Sequence, residues 1–150
     1  DSTAVLPPYS LSQEIQDTIA MYQEKIAAAM EIKGFLNVQY AVKDDNVYIL
    51  EANPRTTRTV PFLAKANQIP EAAIGTKVML GAKLKDFDLK SKLTCWAIKE
   101  PVFPFDKFPG VKKELGPEMK STGESIYFAK DFNDEHFRKP FEFKSLYLSK

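Results

Sequence analysis

The sequence predicts an α+β fold in which helices pack on one face of an antiparallel sheet. Residues 34–42 and 47–53 each alternate polar and apolar side chains, which is the pattern of two strands in a hairpin. Residues 10–32 repeat apolar side chains every three or four positions, as an amphipathic helix does. Residues 59–67 and 70–81 are predicted to form two shorter helices.

The first long helix has recognisable start and stop signals. The first nine residues are predicted to be extended, and Ser10 then provides an N-cap with Gln13 three positions later, a capping box. The helical repeat continues to about Ile32, and Gly34 is suited to the helix end.

The second half of the chain carries weaker signals. Residues 84–93 are predicted to form a charged surface connection, and residues 94–103 a strand that Pro101 restricts to a sheet edge or a short pairing. Residues 104–123 are rich in Pro and Gly and are predicted to form an ordered loop. The segment 125–150 holds too many aromatic residues for a solvated tail: Phe128, Phe132, Phe137, Phe141, Phe143 and Tyr147.

The hairpin gathers polar side chains on one face. A three-residue loop over 44–46 would pair Lys43 with Val47, and a regular ladder from there places Gln39 opposite Glu51. Directly opposed side chains lie about 4.5–5.5 Å apart at Cβ. The other face is predicted to be apolar and buried, with Leu36, Val38, Tyr40, Val42, Tyr48, Leu50 and Ala52.

These residue types suit the binding of a polyphosphate that carries magnesium. Magnesium takes oxygen ligands, usually one or two carboxylates together with substrate phosphates. Glu51 can bridge two ions, and the amide oxygens of Gln39 and Asn53 add ligands without adding charge. Arg55 and Arg58 follow the strand, where guanidinium groups can bind phosphoryl oxygens in a bidentate way.

A simpler interpretation of the same hairpin stays open at this point. Polar outer faces are ordinary in antiparallel sheets, so the Gln, Glu and Asn side chains could be a solvated surface only. The exit from the strand into Asn53-Pro54-Arg55 favours the binding site without deciding the matter.

Five runs of residues resemble a known enzyme family. Asn37–Val42, Glu51–Arg55, Arg58–Phe62, Lys107–Val111 and Leu115–Glu124 are similar to the large subunit of carbamoyl-phosphate synthetase. That subunit contains two homologous ATP-grasp units, and the runs at 58–62 and 115–124 resemble the second, carbamate-phosphorylating unit.

The resemblance implies a role for each candidate residue. Gln39 and Glu51 match residues that contact ATP and magnesium, and Asn53 matches a further magnesium ligand. Arg55 and Arg58 match catalytic arginines around the transferred phosphoryl group and the carbamate. The implied cofactors are ATP and Mg²⁺, or Mn²⁺ in its place.

The resemblance also implies a fold, a domain division and a set of partners. Residues 1–124 would be the C-terminal part of an ATP-grasp domain, and 125–150 would lead toward an allosteric domain that is absent. The parent would be a glutamine-hydrolysing, ATP-dependent ligase of arginine and pyrimidine biosynthesis, with the rest of the large subunit and a glutaminase small subunit as partners. We expect the fragment to hold half of an active site, to be inactive alone and to bind ATP weakly at best.

Two competing functions are weaker. A non-catalytic oligomerisation or regulatory module would have no physical need for the five candidate residues together. A different carboxylate–amine ligase would not be expected to carry the runs at 58–62 and 116–124.

The amino-acid composition limits the classes of partner that the chain is expected to bind. The 21 basic and 20 acidic residues leave a net charge of +1, so no global field attracts nucleic acid or an anionic membrane. No apolar run approaches the ~18–20 residues of a membrane span. The lone Cys95 fits a reducing, cytoplasmic location and is expected to be buried, and the lone His136 has no metal partner at a useful spacing. Association of copies through exposed surfaces stays open.

Overall fold

The computed structural model describes residues 2–110, 112–116 and 118–131. The described residues form two compact units, here named the hairpin unit (residues 10–92) and the sheet unit (the described residues of 2–9 and 93–131). The α+β class is confirmed by elements in the order β1 (Ala4–Leu6), α1 (Gln13–Ala29), β2 (Asn37–Lys43), β3 (Asn46–Asn53), α2 (Thr59–Asn67), α3 (Glu71–Met79), a 3-10 turn (Leu84–Asp86), β4 (Trp96–Val102), a 3-10 turn (Phe105–Lys107) and β5 (Gly123–Ala129).

Helix α1 begins later than predicted. Ser12 is the N-cap, since its side-chain oxygen accepts a hydrogen bond from the backbone N–H of Ile15 at 3.3 Å. The prediction that Ser10 caps the helix is wrong, and its expected partner Gln13 instead donates to Asp17 at 2.8 Å. Both serines precede the apolar repeat, so the sequence pattern alone did not distinguish them.

The end of α1 is a left-handed turn at Glu31. The helix stops at Ala29, and Glu31 has φ of 50° while its N–H donates to the carbonyl of Ala28 at 3.1 Å. Gly34 was expected to end the helix but lies beyond the turn, with φ of 116°. A Cβ at Gly34 would lie 2.6 Å from Cγ of Met79, an exposed side chain that would have to move, so the positive φ is the main reason for glycine there.

Helix α1 covers one face of the hairpin, as the α+β prediction requires. It contacts β3, and the hydroxyl of Tyr40 on β2 donates to Oε1 of Gln23 at 3.1 Å. Burial raises the pKa of the Tyr40 phenol. Ile15 is the buried residue of the helix.

The hairpin turn is shorter than predicted. Lys43 pairs with Asn46, which leaves a two-residue turn of Asp44 and Asp45 in place of the expected three-residue loop. Both aspartates have positive φ, 50° and 59°, which is the signature of a type I′ turn. The Nδ2 atom of Asn46 donates to the carbonyl of Asp44 at 2.8 Å.

A β-bulge at Leu50 compensates for the short turn. Tyr40 pairs with Ile49 and Gln39 with Glu51, so Leu50 has no partner in the ladder. The expectation that Val42, Tyr48 and Leu50 lie on a buried apolar face is wrong: these residues are 37%, 52% and 62% exposed. Ile49 takes the position opposite Tyr40 instead and is itself 50% exposed.

Helix α2 spans the predicted residues, and α3 is slightly shorter than predicted. The two helices pack on each other around Phe62, Ala66 and Ile74, which are buried. Gln68 ends α2 in the left-handed conformation, and the N–H of Ile69 donates to the carbonyl of Ala64 at 3.2 Å. Both helices belong to the hairpin unit.

The sheet unit contains a three-stranded antiparallel sheet in the order β1–β4–β5. Ile98 and Ala129 are fully buried in its hydrophobic core, and Val5, Trp96 and Tyr127 pack against them. Beside them Lys99, itself buried, forms a 2.8 Å ion pair with Glu124.

The prediction gave β4 either a place at a sheet edge or a short pairing. The edge position is wrong, whereas the pairing with β1 is short, at three residues. β4 is central, because β1 pairs with Ala97–Lys99 and β5 pairs along the whole of β4. Pro101 is tolerated because the three-residue β1 ends before reaching it, so its missing N–H removes no bond to β1. Strand β5 was not predicted, and it runs across the 124–125 boundary that the domain prediction uses.

Several predictions fall outside the described residues. They concern Val111 and Pro117 within the two motif runs, His136, and the aromatic residues from Phe132 onward. Within the described part of the chain, no helix is long and apolar enough to cross a membrane.

Candidate metal and phosphate site on the hairpin

Three of the five candidate residues meet on one face of the hairpin. Gln39 on β2 pairs directly with Glu51 on β3, and Asn53 follows Glu51 by two positions on the same face. The Nε2 atom of Gln39 donates to Oε1 of Glu51 at 2.7 Å, and Nδ2 of Asn53 donates to the same oxygen at 2.8 Å. One carboxylate oxygen therefore joins both amide groups.

The bulge at Leu50 places Glu51 in this position. With the two-residue turn and a regular ladder, Gln39 would pair with Leu50, and Glu51 would point to the face that α1 covers. The extra residue shifts the alternation by one, so that Glu51 returns to the face of Gln39. The same shift puts Tyr48, which pairs with Ala41, on the face of Gln39 and Glu51.

The three side chains are accessible and are of the types that magnesium binds. Gln39 and Glu51 are exposed, and Asn53 is half-buried. One carboxylate and two amide oxygens fit a magnesium ion whose remaining ligands are phosphates and water. Among the described residues no group of three or more His, Cys, Asp and Glu side chains could hold a metal ion, so this fit depends on the amides.

The two arginines lie on the segment that leaves β3. The chain turns at Pro54, where the N–H of Arg55 donates to the carbonyl of Asn53 at 2.8 Å. The Nη1 atom of Arg55 donates to the carbonyl of Thr56 at 3.3 Å, so the contact found for this guanidinium is with its own loop rather than with Glu51. Arg58 directly precedes α2, and both arginine side chains are exposed.

The start of α2 fixes the position of the arginine loop. The side-chain oxygen of Thr57 accepts from the N–H of Thr59 at 3.2 Å, and its carbonyl accepts from Val60 at 3.2 Å. These bonds cap α2 in place of Arg58, whose side chain makes no capping bond. The structure thus brings Gln39, Glu51 and Asn53 together and leaves the guanidinium groups at the surface next to them in sequence.

Sequence reasoning did not identify two polar groupings. The first is the Lys99–Glu124 ion pair of the sheet unit, for which the only sequence signal is a lysine inside an apolar run. The second is a hydrogen-bonded set of Asn67, Glu71 and Ser91 in the hairpin unit, in which Ser91 lies 24 residues from Asn67, too far in sequence to show a pattern.

Comparisons with known proteins identify relatives of the chain. The family model described as carbamoyl-phosphate synthase L chain, ATP binding domain, matches residues 1–87. The C-terminal section of the carbamoyl phosphate synthase large chain of Methanocaldococcus jannaschii is 51% identical over 92% of this chain and 24% of that protein. The large chains of Archaeoglobus fulgidus and Neisseria meningitidis serogroup A are 51% and 46% identical over 92% of this chain and 13% of theirs.

Solved structures show the fold. The biotin carboxylase subunit of pyruvate carboxylase superposes with a TM-score of 0.66 at 17% identity, over 93% of this chain and 38% of that chain. N5-carboxyaminoimidazole ribonucleotide synthetase from Thermus thermophilus superposes with a TM-score of 0.64 at 16% identity, over 99% of this chain and 42% of that chain. The predicted ATP-grasp fold is confirmed.

The chain spans a quarter or less of the length of these curated relatives. The family match nevertheless covers more than half of the residues of this chain. It includes the whole hairpin site, here defined as Gln39, Glu51, Asn53, Arg55 and Arg58. The chain belongs to the carbamoyl phosphate synthase large-chain family, in its ATP-binding domain.

Proposed function

We propose that this chain contributes the magnesium and phosphate ligands for the ATP-dependent phosphorylation of carbamate to carbamoyl phosphate. One observation carries the proposal: Oε1 of Glu51 accepts hydrogen bonds from both Gln39 and Asn53, at 2.7 and 2.8 Å. Three oxygen-bearing side chains are thereby held on one exposed face of a two-stranded sheet.

Glu51, Gln39 and Asn53 would hold the divalent cation, and Gln39 and Glu51 would also contact ATP. When bound, Mg²⁺ or Mn²⁺ would neutralise negative charge on the phosphates of ATP. The two amide groups additionally position the carboxylate, because they restrict Glu51 to the rotamers in which its Oε1 lies between them. A single carboxylate is a weak site for a free ion, so we expect the cation to arrive with the nucleotide phosphates.

Arg55 and Arg58 would bind the transferred phosphoryl group and the carbamate. A guanidinium group keeps its charge and can donate two parallel hydrogen bonds to phosphoryl oxygens. The capped start of α2 at Thr59 fixes the backbone next to Arg58, while both arginine side chains are exposed. Phosphoryl transfer needs mainly positioning and charge stabilisation, which these residue types supply.

The remainder of the reaction depends on parts outside this chain. The rest of the large chain would cover ATP from the other side, and a glutaminase small subunit would supply ammonia from glutamine. The product would serve arginine and pyrimidine biosynthesis in the cytoplasm. We therefore expect the isolated chain to be inactive.

The test replaces Glu51 in the complete large chain. Glu51→Gln keeps the size of the side chain and removes its charge, and we expect ATP synthesis from ADP and carbamoyl phosphate to fall by about 100-fold or more. The matched control is Glu24→Gln on the exposed surface of α1, which should leave the rate unchanged. Equal rates for the two variants would refute the metal-ligand role of Glu51.

A further inference from the structure

The hairpin unit contains a cavity that shares no residue with the hairpin site. Its volume is about 410 Å³, within the size range of small-molecule pockets. It lies between the segment before β2, helices α2 and α3, and the chain around residues 84–91. Most of its wall is apolar and includes Phe35, Leu63, Ile69, Ile74, Leu84 and Leu89.

One corner of the cavity is polar, and its three side chains form a chain of hydrogen bonds in which each donates to the next. The hydroxyl of Ser91 donates to Oδ1 of Asn67 at 2.7 Å, and Nδ2 of Asn67 donates to Oε1 of Glu71 at 3.4 Å. All three residues line the cavity. The carboxylate fixes the orientation of the Asn67 amide, because the reversed amide would place one oxygen against another.

The chain of bonds ends on an acceptor that is only weakly satisfied. A distance of 3.4 Å is long for an N–H···O hydrogen bond, so the carboxylate of Glu71 keeps most of its capacity to accept. Burial raises the pKa of Glu71, and the bond from Asn67 opposes this in part. No lysine, arginine or histidine is among the residues that line the cavity in the described part of the chain.

We propose that this cavity binds a small organic cation, with an ammonium or guanidinium group on Glu71 and an apolar body against the wall. The cationic group would donate to the half-buried carboxylate of Glu71. The apolar body would cover the side chains of Phe35, Leu63 and Ile74. This inference is independent of the role proposed for Glu51.

The chemistry of the cavity predicts which ligands it rejects. A neutral ligand of the same shape keeps the apolar contacts but loses the charge-assisted hydrogen bond. An anionic ligand of similar shape would bring a second negative charge to Glu71. Discrimination by charge among ligands of similar shape is therefore the property to measure.

The experiment titrates the 150-residue chain with phenethylamine, 2-phenylethanol and 3-phenylpropionate, three ligands with the same ring and similar length. Binding is followed through the backbone amide NMR signals of Gly34, Gly75 and Ser91, which line the cavity. We expect the amine to bind about tenfold or more tightly than the alcohol, which corresponds to about 1.4 kcal/mol, and the acid to bind more weakly than both.

Two variants assign the preference to Glu71. Glu71→Gln preserves the side-chain size and should bring the amine and the alcohol to equal affinity, whereas Glu24→Gln should leave the preference intact. The proposal is overturned if the amine and the alcohol bind equally to the unaltered chain, if Glu71→Gln retains the preference, or if millimolar amine leaves the three amide signals unmoved.

Discussion

Deleting Leu50 distinguishes the observed hairpin from a regular one. In the structure Leu50 is the unpaired residue of the bulge, with Ile49 opposite Tyr40 and Glu51 opposite Gln39. Removing it would join these two pairs into a continuous ladder and leave Glu51 on its present face. In a hairpin with a three-residue turn and no bulge, the same deletion would turn Glu51 to the face that α1 covers.

The two possibilities differ in stability by an amount that is easy to measure. Leu50 is 62% exposed, so its burial contributes a minor part of the about 1.5–3 kcal/mol that a fully buried leucine provides. Ordering one residue fewer recovers about 1–2 kcal/mol of conformational entropy. The free energy of unfolding should therefore stay within about 1 kcal/mol of the parent value. Turning the charge of Glu51 to the half-buried face beside Tyr40 would instead cost about 1–3 kcal/mol and break its hydrogen bonds to Gln39 and Asn53.

Urea unfolding monitored by circular dichroism measures this difference in the free energy of unfolding. Leu50→Ala is the matched control, because it keeps the bulge. We expect both variants to unfold near the parent concentration of urea. An NOE between the side-chain amide of Gln39 and the side chain of Glu51 should persist in the deletion variant. Loss of that NOE together with strong destabilisation would refute the bulge.

Three further predictions concern other contacts. Glu124→Gln leaves the buried ammonium of Lys99 without its charged partner and should lower the free energy of unfolding by about 3–5 kcal/mol. Replacing both partners, Lys99→Met with Glu124→Leu, should cost far less. Similar losses for the two variants in chemical denaturation would contradict the buried pair. Gly75→Ala places a Cβ 2.2 Å from Cζ of Phe35. The cost of overpacking, about 1–3 kcal/mol, should exceed the gain in helix propensity of about 1 kcal/mol, so the variant should be less stable. A higher melting temperature would contradict that contact. The pKa of Glu71 is raised in the folded state, so the stability that this group contributes is greatest below its unfolded pKa and declines as pH rises through the folded pKa. Glu71→Gln should reduce this decline when the free energy of unfolding is measured from about pH 4 to 7. An unchanged pH profile would refute the raised pKa.

The polar face of the hairpin could be predicted from the sequence even though its register was partly wrong. The predicted turn was one residue too long, and the predicted β3 lacked the bulge at Leu50. These two errors cancel at Gln39 and Glu51, because each shifts the pairing by one residue in opposite directions. Helix α2 was predicted with the bounds that the structure shows, since its apolar repeat and its flanking residues act locally.

The elements that were missed depend on contacts between distant parts of the chain. β4 became a central strand because β1, more than ninety residues earlier, pairs with Ala97–Lys99. Its partner β5 lies after a long loop rich in proline and glycine, so no hairpin signal links it to β4. Local periodicity contains no information on such pairings. The contact of Ser91 with Asn67, across 24 residues, was missed for the same reason.

The most direct test of the hairpin site is paramagnetic broadening of the side-chain amide NMR signals of Gln39 and Asn53 by Mn²⁺ with ADP. Even weak binding by the 150-residue chain would broaden them. We expect these two signals to broaden before those of any other asparagine or glutamine, and Glu51→Gln to abolish the effect. Broadening confined to Asn46 beside the turn aspartates, with Gln39 and Asn53 unaffected, would contradict the site.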